Sequence, residues 1–169
     1  MGGLRAGHAG QLRGHRNWDF EWATVGASDN PCSNSYHGPV PFSEIEPQSL
    51  AVFAAEEQRE GELRLYVDHH CCGDMYLQPY GALEALPADH DEIDRLGKVG
   101  KAATDTACAA GSAPGTSPWS CNYRQGPIWT TIYPASGSSV DYMYAVNDIV
   151  YSYGTEMRSS NGNGACCGS

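Results

Sequence analysis

The stretch VDHHCCGD, residues 67–74, places two histidines, two cysteines and two aspartates within eight residues. These side chains carry the usual metal donors, and a catalytic zinc takes three protein ligands with one position left open. His69 and His70 are adjacent, so in an extended segment they point to opposite faces and one ion rarely takes both. Spacing alone leaves a surface histidine pair at a strand end standing beside the ligand reading. Cys71 and Cys72 are also neighbours; a disulfide between them would be strained, and buried inert thiols are the plainer reading.

Glu156, in IVYSYGTEM, is the second chemically suggestive residue. At period two it shares a face with Gly154 and Ser152, while Tyr151, Tyr153 and Thr155 take the other. A carboxylate above small residues in an apolar strand is either a structural charge, with Arg158 as its partner, or the general base of a pocket.

Elements must hold these groups in place. Ser43 and Glu46 form an S-x-x-E capping box that predicts a helix from about Ser43, with Ile45, Leu50, Val52, Phe53 and Ala54 as its apolar face. LRLYVD alternates Leu63, Leu65 and Val67 with polar or aromatic positions and predicts a strand ending at the His-Cys cluster. A second helix is predicted from about Ala88 to Ala110, capped by Asp89, with Ile93, Leu96, Val99, Ala103 and Ala107 on one side and weakened by Gly97 and Gly100. GSAPGTSPWSC reads as a loop, IWTTIY as a strand, VDYMYAV as a short helix capped by Ser138 or Ser139, and IVYSYGTEM as the last strand. The alternation argues an α/β domain in which helices flank a largely buried sheet.

The 169 residues make one domain. Ten basic against twenty acidic residues, a formal charge of −10, provide no basic stripe for nucleic acid. No apolar run is long enough to span a bilayer, MGGLRAGHAGQLRGH lacks the apolar core of a signal peptide, and Ala6 spoils a myristoylation signal. The seven cysteines are an odd count and contain no C-x-x-C, which disfavours a zinc ribbon or thioredoxin-like motif; a cysteine-rich redox protein stays as a weaker reading. Neither G-x-G-x-x-G nor a Walker loop is present, and GASDN at residues 26–30 lacks the closing glycine of a nucleophile elbow.

Several segments, in order and spacing over roughly residues 15–158, resemble the zinc carboxypeptidase family of the pancreatic carboxypeptidase A type. They are RNWD at Arg16 to Asp19, GASDNPCSNSYHGPVPFSEIE at Gly26 to Glu46, YVDHH at Tyr66 to His70, QPYG at Gln78 to Gly81, TIYPASGSSVDY at Thr131 to Tyr142, and YSYGTEMR at Tyr151 to Arg158. The resemblance implies an α/β sandwich with a mixed central sheet, and removal of the last residue of a peptide with one Zn2+ ion. Its zinc-binding histidine lies nine residues before the proline of the QPYG-like segment, which selects His70 over His69. Its catalytic glutamate, general base and then proton donor, matches Glu156. The arginine that grips the terminal carboxylate matches Arg16, and the tyrosine that closes over substrate matches Tyr133. Val140 stands where B-type enzymes carry an acid, which implies an apolar C-terminal side chain; Leu77, Ile128, Ile132 and Gly154 match other wall positions.

The chain also departs from that pattern. No H-x-x-E occurs, so two of the three expected zinc ligands are absent, as is the arginine that polarises the scissile carbonyl. His15 replaces an asparagine, Cys71 and Cys72 replace a Ser-Tyr pair, and Cys32 matches a disulfide cysteine with no cysteine before it. The expected layout is an unstructured leader at 1–14, a partial catalytic domain at 15–158 and a disordered tail at 159–169. The resemblance implies peptide or protein C-termini as partners and a secreted protein. The alternative is a module that keeps the C-terminus pocket without catalysis, and missing strands would leave sheet edges exposed and the isolated chain poorly stable.

Overall fold

The computed structural model describes residues 14–71, 73–110 and 122–157. The expected leader, apart from Gly14, the loop at 111–121 and the expected tail lie outside the described residues, as does Arg158.

Among the described residues four strands form a mixed sheet: β1 (Leu65–Cys71), β2 (Met75–Gln78), β3 (Arg124–Pro127) and β4 (Tyr151–Met157), in the order β1-β4-β2-β3. β4 runs parallel to β1 and antiparallel to β2, and β2 runs parallel to β3. The predicted mixed α/β class is therefore observed. β2 was not predicted; its four residues are nearly all buried, so they show no alternation, and Pro79 follows at once.

Helix α1 spans Ile45–Glu60 and ends on Gly61 in the left-handed region at φ 73°. The capping box does not form. Glu44 stands at the N-cap without a side-chain cap, because Ser43 Oγ accepts from Asn17 Nδ2 at 3.0 Å and donates to Glu44 Oε1 at 2.9 Å. Of the predicted apolar face Ala54 alone turns inward. Ala51 and Ala54 pack on Trp18, Met143 and Ile149, and Pro47 is buried on the same side at i, i+4 and i+7, whereas Ile45, Leu50, Val52 and Phe53 are exposed.

Helix α2 (His90–Ala110) follows Asp89 as expected, and buries Ile93 and Gly97 while Val99 stays exposed. Asp89 Oδ2 accepts from Tyr144 Oη at 2.9 Å, and its carbonyl receives the first helical N–H groups. The two helix-weakening glycines sit against the sheet. A Cβ on Gly97 would lie 3.0 Å from Gln125 Nε2, and one on Gly100 would lie 2.9 Å from Tyr76 Cζ. Close approach of helix to sheet, which admits Tyr153 Oη to donate to Ile93 O at 2.8 Å, offsets the lost propensity.

IWTTIY is not a strand. β3 ends at Pro127, and Ile128–Thr131 make a single helical turn, α3. Tertiary pairing overrides β propensity here: Trp129 N–H donates to Tyr80 O at 2.9 Å and Arg124 Nη1 to Thr131 O at 2.8 Å. Helix α4 (Ser139–Ala145) is capped as predicted, Ser138 Oγ accepting from Asp141 N–H at 3.1 Å. The two faces of β4 then divide as the period required. Tyr153 packs with Ile93 of α2, while Ser152 donates to Val140 O at 2.8 Å on α4.

Gly97→Leu is expected to force α2 off the sheet and lower the unfolding free energy by ~1–3 kcal/mol. Val99→Ala on the exposed side should stay within about 0.5 kcal/mol, both read from urea midpoints.

Candidate active site

Glu156 and His70 face each other across the β1–β4 pairing, where they are register partners. Neighbouring strands lie ~4.8 Å apart, so the two side chains share one small space. His69, one position earlier, goes the other way and its Nδ1 meets Thr155 Oγ1 at 2.7 Å. Strand geometry thus puts His70, and not its neighbour, beside Glu156.

Asp68, two residues before His70 on the same face, was not singled out from sequence, although the strand period could have found it. Its Oδ2 lies 3.0 Å from His70 Nε2 and also accepts from Ser139 Oγ at the start of α4. Burial works against the charged form of Asp68, but the hydrogen bond and charge of His70 and the Ser139 hydroxyl outweigh it and hold the carboxyl below its ordinary range. The same hydrogen bond raises His70 against its own burial. Burial raises Glu156, opposed by the charges of His70 and Arg16.

Arg16 comes from the short 3-10 turn Gly14–Arg16 and is buried. Its Nε donates to Gly26 O at 3.3 Å and its Nη1 to His15 O at 3.2 Å, which fixes the guanidinium plane. Gly26 is required there: its φ is 62°, and a Cβ would lie 1.9 Å from Pro134 O. The guanidinium carbon sits 5.8 Å from the ring centroid of Tyr133, which is half exposed. The His15 ring meets His70 edge-on at 6.0 Å.

Leu77, Ile128, Ala135 and Val140 form a buried apolar cluster with Ile132 packed against it. Gly154 opens space beside them; a Cβ there would touch Val140 Cγ2 at 3.4 Å. All nine residues singled out from sequence line one cavity of about 530 Å³, joined by Asp68, Ser139 and three residues of the loop at 33–35.

Asp141, also missed, is completely buried behind this wall. Its carboxylate accepts from Gly81 N–H at 3.0 Å and Ala82 N–H at 2.8 Å, tying the QPYG turn to α4. Desolvation pushes it up to about 6 despite those bonds.

Cys71 is exposed on the cavity rim rather than buried, because it ends the outermost of the described strands on that side, and Cys72 lies outside the described residues; Cys32 is likewise an exposed free thiol. Among the described residues no group of three or more His, Cys, Asp or Glu side chains is placed to hold a metal ion. No helix among them is long and apolar enough to cross a membrane.

The family model described as zinc carboxypeptidase matches residues 13–165. The chain belongs to the zinc carboxypeptidase family. Relatives include zinc carboxypeptidase A 1 of Anopheles gambiae, 37% identical over 85% of this chain and 30% of the relative. Carboxypeptidase A4 of Mus musculus is 39% identical over 86% and 31%. Carboxypeptidase A from Helicoverpa armigera superposes with a TM-score of 0.73 at 28% identity, covering 92% of this chain and 35% of that one. This zinc carboxypeptidase chain therefore spans about a third of the length of these relatives.

Asp141 gives the family member a pH signature. Its carboxyl titrates near ~3.9 when unfolded and at about 6 when folded, so the folded state holds the proton more tightly. Stability from this group is highest below pH ~4, falls as pH rises to about 6, and is then level, a difference of about 3 kcal/mol. Urea midpoints between pH 4 and 7 should show Asp141→Asn losing less stability relative to the parent at pH 7 than at pH 4.

Proposed function

We propose that this chain carries the substrate pocket and the catalytic carboxylate of a metallocarboxypeptidase that releases an apolar C-terminal amino acid from peptides. The observation that supports it most is the meeting of Glu156 and His70 across one strand pair, in a cavity that also holds Arg16. Arg16 binds the substrate's terminal carboxylate: two of its nitrogens are held by backbone carbonyls, leaving Nη2 for the ligand. Tyr133, stacked near that guanidinium and half exposed, closes over the bound end of the peptide. The Leu77, Ile128, Ile132 and Val140 wall, with room above Gly154, takes the apolar side chain.

Glu156 takes a proton from the attacking water and returns it to the leaving amine; its half-buried position and raised pKa suit a group that must both accept and donate. His70 is the metal ligand this chain offers, and Asp68 on its Nε2 is the partner that orients such a ring. One histidine does not hold a catalytic zinc, so the described residues do not fit the ion by themselves. That observation favours a second reading, in which the chain binds peptide C-termini without hydrolysing them. A secreted location is proposed from the family.

Metal analysis with hydrolysis of a peptide ending in Phe separates the two. In the enzyme reading one zinc is bound and Glu156→Gln lowers turnover by ~10²–10⁴-fold while peptide affinity is retained. No zinc and no turnover, with affinity for the Phe-terminated peptide that Arg16→Ala weakens, supports the binding module; no affinity at all discards both. Val140→Asp is expected to shift the preference from peptides ending in Phe to those ending in Lys or Arg, measured as a ratio of affinities.

A further inference from the structure

We infer that Asp68 determines specificity in the pocket by reading the far end of the substrate's C-terminal side chain. It selects an apolar body that carries a neutral hydrogen-bond donor, so a peptide ending in Tyr is held in preference to one ending in Phe. This rests on the reading of the cavity as the seat of a peptide's C-terminal residue.

The strand register places the carboxylate. Asp68 is the partner of Gly154, just as His70 is the partner of Glu156 two residues further along both strands. Residues two apart share a face, so the Asp68–Gly154 row lines the same cavity as the His70–Glu156 row, about 7 Å further in. That step is close to the length of a tyrosine side chain. Gly154 is what leaves Asp68 accessible, because any side chain there would stand beside the carboxylate and cover it. The space above Gly154 is otherwise bounded by apolar groups: a Cβ on it would lie 3.4 Å from Val140 Cγ2 and 3.7 Å from Leu77 Cβ.

The carboxylate also has acceptor capacity to spare. Both contacts that the described residues make with it fall on Oδ2, from His70 Nε2 at 3.0 Å and from the Ser139 hydroxyl. Oδ1 is left for a ligand, and the side chain keeps 27% of its surface open. A phenyl ring seated over Gly154 strips water from Oδ1 and gives nothing in return, whereas a phenol hydroxyl donates to it. A site with a committed polar group discriminates strongly against the analogue that lacks the matching one. A cation fits less well than a hydroxyl. It brings several donors to satisfy, Asp68 already serves two, and the Leu77, Ile128, Ile132 and Val140 side chains provide no acceptor.

The test titrates the full chain calorimetrically, in buffer with a chelator so that no turnover intervenes, with blocked peptides identical except for a C-terminal Phe, Tyr or Lys. The Tyr peptide should bind at least about tenfold more tightly than the Phe peptide, and the Lys peptide more weakly than the Tyr peptide. Asp68→Leu, which keeps the shape and removes both oxygens, should abolish or reverse the preference for Tyr over Phe, with the far-ultraviolet circular dichroism unchanged. Equal affinity for the Phe and Tyr peptides, a Tyr preference that survives Asp68→Leu, or a Lys peptide that binds most tightly would overturn the role of Asp68 and leave the pocket reading standing. No affinity for any of the three would overturn the pocket reading and this inference with it.

Discussion

Strand β4 is the piece on which the arrangement depends. It lies between β1 and β2, and its parallel pairing with β1 brings Glu156 opposite His70. A slip of one residue would turn Glu156 toward α2 and the Tyr153 ring toward the cavity. Packing on both faces prevents that. Tyr153 is held by Ile93 and its hydroxyl by the Ile93 carbonyl, while Ser152 and Gly154 fit only beneath Val140.

Around this strand, buried polar side chains do the work that regular elements cannot. Asn17 donates to His37 O, Val40 O and Ser43 Oγ and accepts from Glu44 N–H, gathering the loop before α1 into one shape. Asp141 does the same for the Gly81–Ala82 turn, and Arg16 for Gly26. Each satisfies backbone groups that would otherwise be buried unpaired. Because these loops supply cavity walls, the pocket is as rigid as those hydrogen bonds. The electrostatics follow from the same compactness: Asp68 and His70 shift each other, Arg16 acts on His70 and Glu156, burial decides the net direction for Glu156 and the Asp68 hydrogen bond decides it for His70.

Much of this was legible in order along the chain. The strands around His70 and Glu156, the Ser138 cap and α2 follow from period and capping chemistry, and the family motifs named the nine cavity residues. The errors share a cause. Ser43, Leu50, Val52, Phe53 and the IWTTIY segment were assigned by local preference, and in each case a partner distant in sequence prevailed: Asn17 for Ser43, the Trp18–Met143 core for α1, Tyr80 and Arg124 for α3.

By itself the sequence determined which residue types were available for chemistry and which strand faces they occupy, because the two-residue period is a property of the backbone. It also determined family membership, since motif order survives in one dimension. Only the tertiary structure decided that Asp68 and Ser139 join His70, that Asp141 anchors the wall behind Val140, and that β4 lies between β1 and β2. Those depend on which strand lies beside which, and long-range pairing is not encoded in any local window of residues.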